Sequence, residues 1–83
     1  MRTVFLDGRQ YSSGGDVHLA LKRMLHLPDH YGCNADALYD CLSEERQCPS
    51  LVVMAMGEGE AADTMEKIIR VFQALGGNVK RIS

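Results

Sequence analysis

Asp36 and Asp40 lie four residues apart in the middle of the sequence, just after Gly32 and Asn34. On a helix this interval brings both carboxylates onto one exposed stripe. A like-charged pair at this interval costs an isolated helix about 0.2–0.5 kcal/mol. The pair therefore has two possible explanations, a binding function or a helix face that is simply exposed to solvent. Asp36 also gains from the positive end of the helix dipole, whereas Asp40 lies where that gain has faded. Asp40 is therefore the stronger candidate for binding a cationic group.

Acidic residues are concentrated in the central part of the chain, although the whole sequence has a formal net charge of −2. Residues 24–66 hold nine acids and one base, whereas residues 67–83 hold four bases and no acid. In a small domain such segregation produces a field of one sign over one face, which attracts a partner of the opposite sign. The sequence therefore predicts a basic partner.

The length of 83 residues and the hydrophobic content of 46% are those of one small globular domain, which we expect to span residues 1–83. Two prolines and an ordinary charge content exclude a disordered or low-complexity chain. No apolar stretch has the length of a signal peptide or of a membrane span. We expect a cytoplasmic protein that does not bind membranes.

Three cysteines, Cys33, Cys41 and Cys48, lack the C-x-x-C spacing of zinc sites and are odd in number. Reduced thiols are therefore predicted, without a disulfide framework or a metal site. Cys41 falls on the apolar side of its predicted helix, as a small core residue would. Cys33 lies beside Gly32 and is the thiol expected to be exposed.

Hydrophobic spacing predicts the order strand, helix, helix, strand, helix, strand. The run from Ser50 to Met56 is apolar almost throughout, which is typical of a parallel strand covered on both faces. Residues 3–6 and 79–82 are the other predicted strands, the latter an edge strand guarded by charge. Helices between consecutive strands are typical of a parallel sheet joined by crossovers. The predicted fold class is α/β.

The helices that must position the aspartates are marked by apolar residues at three- and four-residue intervals. The first is expected to end at Pro28, because the residue before a proline is pushed out of helical geometry. Asn34 is predicted to cap the second helix, which carries both aspartates. Candidate caps for the first helix are Ser12, Ser13 and Asp16.

Three enzyme-like or metal-binding alternatives can be weighed from residue types alone. Residues 57–62 match the G-x-G-x-x-A dinucleotide fingerprint, but Glu58 and Glu60 would repel phosphates, so a turn before a helix is favoured. A thiol nucleophile at Cys33 would need positive surroundings, and this region is acidic. A metal site from acidic residues of the second helix together with His30 would be weak and exchangeable. His18 and His26 are expected at the surface.

The segment from Leu27 to Leu42 closely resembles the signature of the barstar family, which inhibits barnase-like bacterial ribonucleases. It fits the pattern L-P-x-x-Y-G-x-N-x-D-A-L-x-D-C-L. A thinner resemblance extends to the opening strand, to Pro49 and to Val71-Phe72, so that it spans nearly the whole chain. The resemblance implies a small three-stranded parallel sheet packed with about three to four helices.

The same resemblance implies a function and a set of contact residues. Family members block the active site of a ribonuclease with the second helix and the loop before it, and Asp40 matches the aspartate that takes the place of an RNA phosphate. The partner would be a basic bacterial ribonuclease bound one to one, with no cofactor, no catalysis and no direct binding of nucleic acid. The predicted contact residues are His30, Tyr31, Gly32, Asn34, Asp36, Tyr39, Asp40 and Glu44.

Four positions depart from the family pattern. Tyr39 replaces a tryptophan, His30 replaces an aromatic residue, and Glu45 stands where a second tryptophan is expected. Ala74 falls where a glutamate on the third helix helps to hold the enzyme. These departures leave open an alternative function, a barstar-like interaction module whose partner is not a ribonuclease.

Overall fold

The protein forms three parallel strands and three α-helices in the part of the chain that this computed structural model describes, residues 3–44 and 48–82. The predicted order of elements and the α/β class are both confirmed. A short 3-10 helix, Gly8–Gln10, follows the first strand. The strands and α-helices are β1 Thr3–Asp7, α1 Gly14–Leu25, α2 Ala35–Ser43, β2 Ser50–Ala55, α3 Gly59–Ala74 and β3 Val79–Arg81.

The sheet has the order β1-β2-β3, with the most apolar strand in the centre. Val4 of β1 is in register with Leu51 of β2, which is in register with Val79 of β3. The register of β1 and β2 shifts between Leu6 and Asp7. Because parallel strands cannot be joined by a tight hairpin, the intervening helices cross over the sheet.

One face of the sheet and the inner stripes of the three helices form the core. Alternate strand residues, among them Leu6 and Val53, are buried on that face. Helix α3 is the central helix, since it contacts α1, α2 and the strands β2 and β3. The largest fully buried side chains include Phe72, Leu6, Leu21, Leu38, Leu51, Met65, Ile68 and Ile69.

The opposite face of the sheet is not covered, so the prediction that β2 is buried on both faces is wrong. Phe5 is 53% exposed, Met54 37% and Ile82 61%. Helices α1 and α2 both pack against α3, which in turn contacts β2 and β3. The apolar run therefore indicated a strand, but it could not indicate how many faces of that strand are covered.

Helix α1 ends earlier than expected from Pro28. His26 has a left-handed backbone with φ 53°, and its N–H is bonded to the carbonyl of Lys22. A residue in this conformation ends a helix, because it turns the backbone so that N–H groups after the helix bond to its last free carbonyls. Leu25 is therefore the last helical residue, and the segment 26–34 is free to form the loop that leads into α2.

Candidate partner-binding site

Helix α2 has one side buried in the core and the other side exposed to solvent. Asn34 caps it as predicted, with its Oδ1 accepting a hydrogen bond from the Ala37 N–H at 2.8 Å. Leu38 and Leu42 are buried in the core. Asp36 and Asp40 lie on the exposed side, as their spacing predicts. The helix thus presents its carboxylates to solvent, while its buried side is held by the core.

The loop before α2 is compact because its bonds are local. The Tyr31 N–H donates to the Pro28 carbonyl at 2.9 Å, and Asn34 Nδ2 donates to the Gly32 carbonyl at 3.2 Å. His30 and Gly32 are exposed on either side of the buried Tyr31. The predicted loop residues are thus brought together beside α2. Tyr31 packs into the core of the free chain, so this role does not depend on a partner.

His18 is buried, which contradicts its predicted surface position. It is 5% exposed and its Nδ1 lies 2.7 Å from the hydroxyl of Tyr31, which is 6% exposed. Burial lowers the pKa of the His18 imidazole and raises the pKa of the Tyr31 phenol. The prediction failed because a polar ring can be buried when its hydrogen bond is satisfied, and the partner lies thirteen residues away in the sequence.

A cleft of about 560 Å³ separates this loop from α2. Its lining combines apolar side chains with carboxylates and imidazoles, so it can take a group that is partly apolar and partly polar. Its lining residues are Leu25, His26, Leu27, Pro28, His30, Tyr31, Gly32, Ala37, Asp40, Cys41 and Glu44.

The predicted contact residues divide into two groups around this cleft. His30, Tyr31, Gly32, Asp40 and Glu44 line it. Asn34, Asp36 and Tyr39 do not, although they are exposed on the loop and the helix next to it. Sequence reasoning missed His26 as a lining residue, because its place depends on the left-handed backbone that ends α1.

The carboxylates of α2, like those of α3, take part in no ion pair within the described residues. Within residues 3–44 and 48–82, ion pairs join Arg9 to Asp7 and Lys22 to Asp29, at 3.1 and 3.8 Å. Neither Asp36, Asp40 nor Glu44 takes part in an ion pair there. Their charge is therefore available to a partner from outside the chain.

The chemistry of the thiols near the cleft does not favour a nucleophile. Burial raises the pKa of Cys41, and the neighbouring Glu44 and Asp40 raise it further. Cys41 packs against the core but is only partly buried, while Cys33 is exposed as expected. Thiolate is disfavoured at Cys41, since negative neighbours oppose a second negative charge.

The glycines of the dinucleotide-like segment have a structural role. Gly57 has φ 77°, and a side chain there would overlap the backbone of Gly8, so it forms a tight turn after β2. Helix α3 then begins at Gly59, as the preferred interpretation of this segment predicted. Glu60 Oε1 accepts a hydrogen bond from the Gly14 N–H at 3.0 Å, which places a carboxylate at the start of α1.

A metal centre and a membrane span are the remaining classes of site. No group of three His, Cys, Asp or Glu side chains in residues 3–44 and 48–82 is arranged to hold a metal ion. In the same ranges, no helix combines the length and the apolar character needed to cross a membrane.

Comparison with known proteins shows the family of the chain. Residues 1–81 match the family model described as "Barstar (barnase inhibitor)". A protein of Bacillus subtilis (strain 168) named "Putative ribonuclease inhibitor YrdF" is 35% identical over 79 residues, covering 88% of this chain and 87% of that protein. The chain therefore belongs to the barstar family.

Proposed function

We propose that this protein is a non-catalytic, cytoplasmic inhibitor that binds a basic bacterial ribonuclease one to one and blocks its active site. The loop from His30 to Asn34 and the exposed side of α2 would enter the cleft in which the enzyme binds RNA. Asp40 would take the place of an RNA phosphate, and substrate would be excluded sterically.

The observation that carries this proposal is the placement of Asp40 and Glu44. Both line the cleft between the loop and α2, and neither is part of an ion pair within the described residues. Exposed acids without an ion pair contribute little to folding, so their carboxylates stay free to bind cationic groups of a partner. Leu38 and Leu42 anchor the opposite side of α2 in the core, which keeps the carboxylates in place.

The physical chemistry of a ribonuclease active site fits these groups. Such an enzyme binds a polyanion with arginine, lysine and histidine side chains. A carboxylate presented at the right position can accept charge-assisted hydrogen bonds from those same groups. Because the helix is already ordered, little conformational entropy is lost on binding.

The other contact residues would act around Asp40. Asp36 would be its charged companion one turn away, while Glu44 would extend the negative surface one turn further. Tyr39, which is exposed between the aspartates, would supply apolar contact area of the kind common at interfaces. His30, Gly32 and Asn34 would shape the surface of the loop against the enzyme.

The departures from the family pattern bear on which ribonuclease is bound. Ala74 is exposed at the end of α3 and offers no carboxylate at the position where family members hold the enzyme with a glutamate. Glu45 lies outside the described residues. A target that lacks the matching cation would fit this surface, and a partner that is not a ribonuclease would be the alternative.

An inhibition assay with barnase and with other basic bacterial ribonucleases tests the proposal. We expect the unchanged chain to abolish cleavage of RNA by at least one of them at a molar ratio of one. Asp40→Asn should lose this inhibition, while Asp63→Asn, a matched neutralisation on the exposed side of α3, should retain it. Equal inhibition by both variants would contradict the proposed role of Asp40.

A further inference from the structure

The sheet has two free edges, and they differ in length and in charge. β3 is three residues long and carries Lys80 and Arg81, both exposed. β1 is five residues long and has no charged side chain before Asp7, whose carboxylate is bonded to Arg9. Lysine and arginine on an edge discourage further strand pairing, whereas an uncharged edge is open to it. β1 is therefore the edge to which another strand can be added.

The hydrogen bonds of β2 show which of its residues face β1. The Leu51 N–H donates to the Asn78 carbonyl at 2.8 Å, and the Val53 carbonyl accepts from the Ile82 N–H at 2.9 Å. Leu51 and Val53 therefore face β3. Because successive residues of a strand bond to opposite sides, Val52 faces β1 and supplies the backbone groups that bond to it.

Thr3 and Phe5 have backbone groups that the sheet does not use. Val52 is in register with Phe5. In a parallel ladder a residue bonds to the two neighbours of its register partner, which are Val4 and Leu6 here. The N–H and C=O groups of Thr3 and Phe5 then point away from β2. Outside the sheet, no backbone hydrogen bond within the described part of the chain involves either residue. Such groups are the template on which a further strand pairs.

The side chains of β1 allow a strand to be added without disturbing the core. Val4 and Leu6 are buried between the sheet and the helices, whereas Phe5 projects onto the open sheet face with 53% of its surface exposed. A neighbouring strand at the free edge covers part of the Phe5 ring and leaves the buried side chains in place. The edge thus offers both backbone bonds and apolar area.

A second copy of the chain fits this edge through its own β1. We propose that two copies pair their β1 strands antiparallel about a two-fold axis at Val4, so that Thr3 of each copy lies opposite Phe5 of the other. Each of these pairs joins residues whose backbone groups point outward, so each exchanges both of its N–H···O bonds. The two Phe5 rings become diagonal neighbours on the open face, within reach of each other.

Charge favours this pairing over the same arrangement at the other edge. Two β3 strands paired in this way would bring Lys80 and Arg81 of both copies together, and like charges across a strand pair are destabilising. The segment from Thr3 to Leu6 carries no charge that could oppose itself. A formal net charge of −2 per chain adds little general repulsion.

The size of the contact sets the strength of the dimer. A short strand pair of this kind buries on the order of 300 Å² per copy, less than half of the roughly 800 Å² that each partner buries in a standard interface. The dimer is therefore weak, with a dissociation constant on the order of 0.1 mM. It forms at high local concentration and leaves dilute chain monomeric.

Sedimentation velocity of the unchanged chain tests whether it dimerises. We expect monomer at about 10 µM and mostly dimer at about 1 mM. A chain that remains monomeric at the higher concentration would overturn the proposal.

Hydrogen exchange of the same samples locates the contact. The amides of Thr3 and Phe5 should exchange about fivefold more slowly at the higher concentration, because most chains then have these groups bonded. The amides of Val4 and Leu6, bonded to β2 in the monomer, should be protected at both concentrations. A dimer whose Thr3 and Phe5 amides keep their monomer rates would refute the β1 pairing.

Substitutions of Thr3 test the backbone bonds themselves. Thr3→Pro removes an N–H that points to the free edge, and proline is tolerated at the first residue of an edge strand. The two-fold axis doubles the loss, so the dissociation constant should rise about 30-fold. Thr3→Val keeps the N–H and is the matched control, which should dimerise as the unchanged chain does. Equal dimerisation of the two variants would contradict the proposal.

A second pair of variants separates the edge from the open face. Phe5→Lys puts a charge on the β1 edge and should also abolish the dimer, while Ile82→Lys puts one on the same face at β3 and should not. Loss of the dimer in Ile82→Lys alone would place the contact elsewhere and overturn the proposal. Urea denaturation of each variant verifies that it is folded. All these measurements use the free chain, so they decide this inference whether or not the chain inhibits a ribonuclease.

Discussion

Asp7 and Asp40 are the same kind of residue in two regions that use a carboxylate differently. Asp7, at the end of β1, is buried and accepts two hydrogen bonds from the Arg9 guanidinium, each 3.1 Å long, and a third from the Arg9 N–H. These bonds lower the pKa of Asp7. Asp40 is exposed beside a cleft and has no ion pair within the described residues.

The contrast separates charge that belongs to the fold from charge that is available to a partner. A carboxylate whose hydrogen-bonding capacity is filled within the chain adds little to an interface. A fixed carboxylate without a cation adds little to stability but can satisfy groups brought by another protein.

The largest effect is expected for Asp40→Asn. Loss of hydrogen bonds to a charged group costs on the order of 2 kcal/mol, so affinity for the inhibited ribonuclease should fall by at least about 30-fold. The urea midpoint should change little, because a surface helix aspartate contributes little to folding. Calorimetry of binding and urea denaturation of the same samples give both quantities. Equal losses of binding free energy and of unfolding free energy would contradict the distinction between partner-binding charge at Asp40 and structural charge at Asp7.

Salt should act on the partner-facing acids through the rate of association. Between low salt and about 0.5 M, association should slow by about tenfold while dissociation changes little. Asp36→Asn should reduce this salt dependence, whereas neutralising the paired Asp7 should leave it nearly unchanged. Stopped-flow measurements over a salt series decide the matter, and a salt-independent association rate would contradict steering by the acidic surface.

The two helix caps allow stability and binding to be separated. Asn34→Ala and Ser13→Ala each remove a side-chain cap and should each lower the free energy of unfolding by about 1 kcal/mol. Only Asn34→Ala should also weaken partner binding, because Asn34 alone is bonded to the loop. Comparable losses of affinity in both variants would show that binding follows general stability.

The smallest effect is expected from Asp7 in acid. Because its pKa in the folded chain lies below the ordinary value of 3.8, its contribution to stability is complete above that pH and is lost as pH falls through the lowered pKa. The difference in urea midpoint between the unchanged chain and Asp7→Asn should therefore shrink below pH 3.8. A constant difference for Asp7→Asn would contradict the account of the Arg9 bonds.

The order of elements and much of the site could be predicted from the sequence, because they depend on local patterns. The cap at Asn34, the exposed stripe of Asp36 and Asp40, and the edge position of β3 all follow from residue types and their spacing. The buried His18, the early end of α1 at His26 and the uncovered face around Phe5 could not be predicted in this way. Each of these depends on contacts between segments distant in sequence or on a backbone conformation that one residue adopts.

Hydrogen exchange of the complex with the inhibited ribonuclease tests the central claim most directly. We predict that protection on binding is concentrated in residues 30–44, and that the open sheet face around Phe5 and Met54 exchanges as in the free chain. Protection of that sheet face, with the loop and α2 unchanged, would contradict the claim that the exposed carboxylates of α2 are the binding surface.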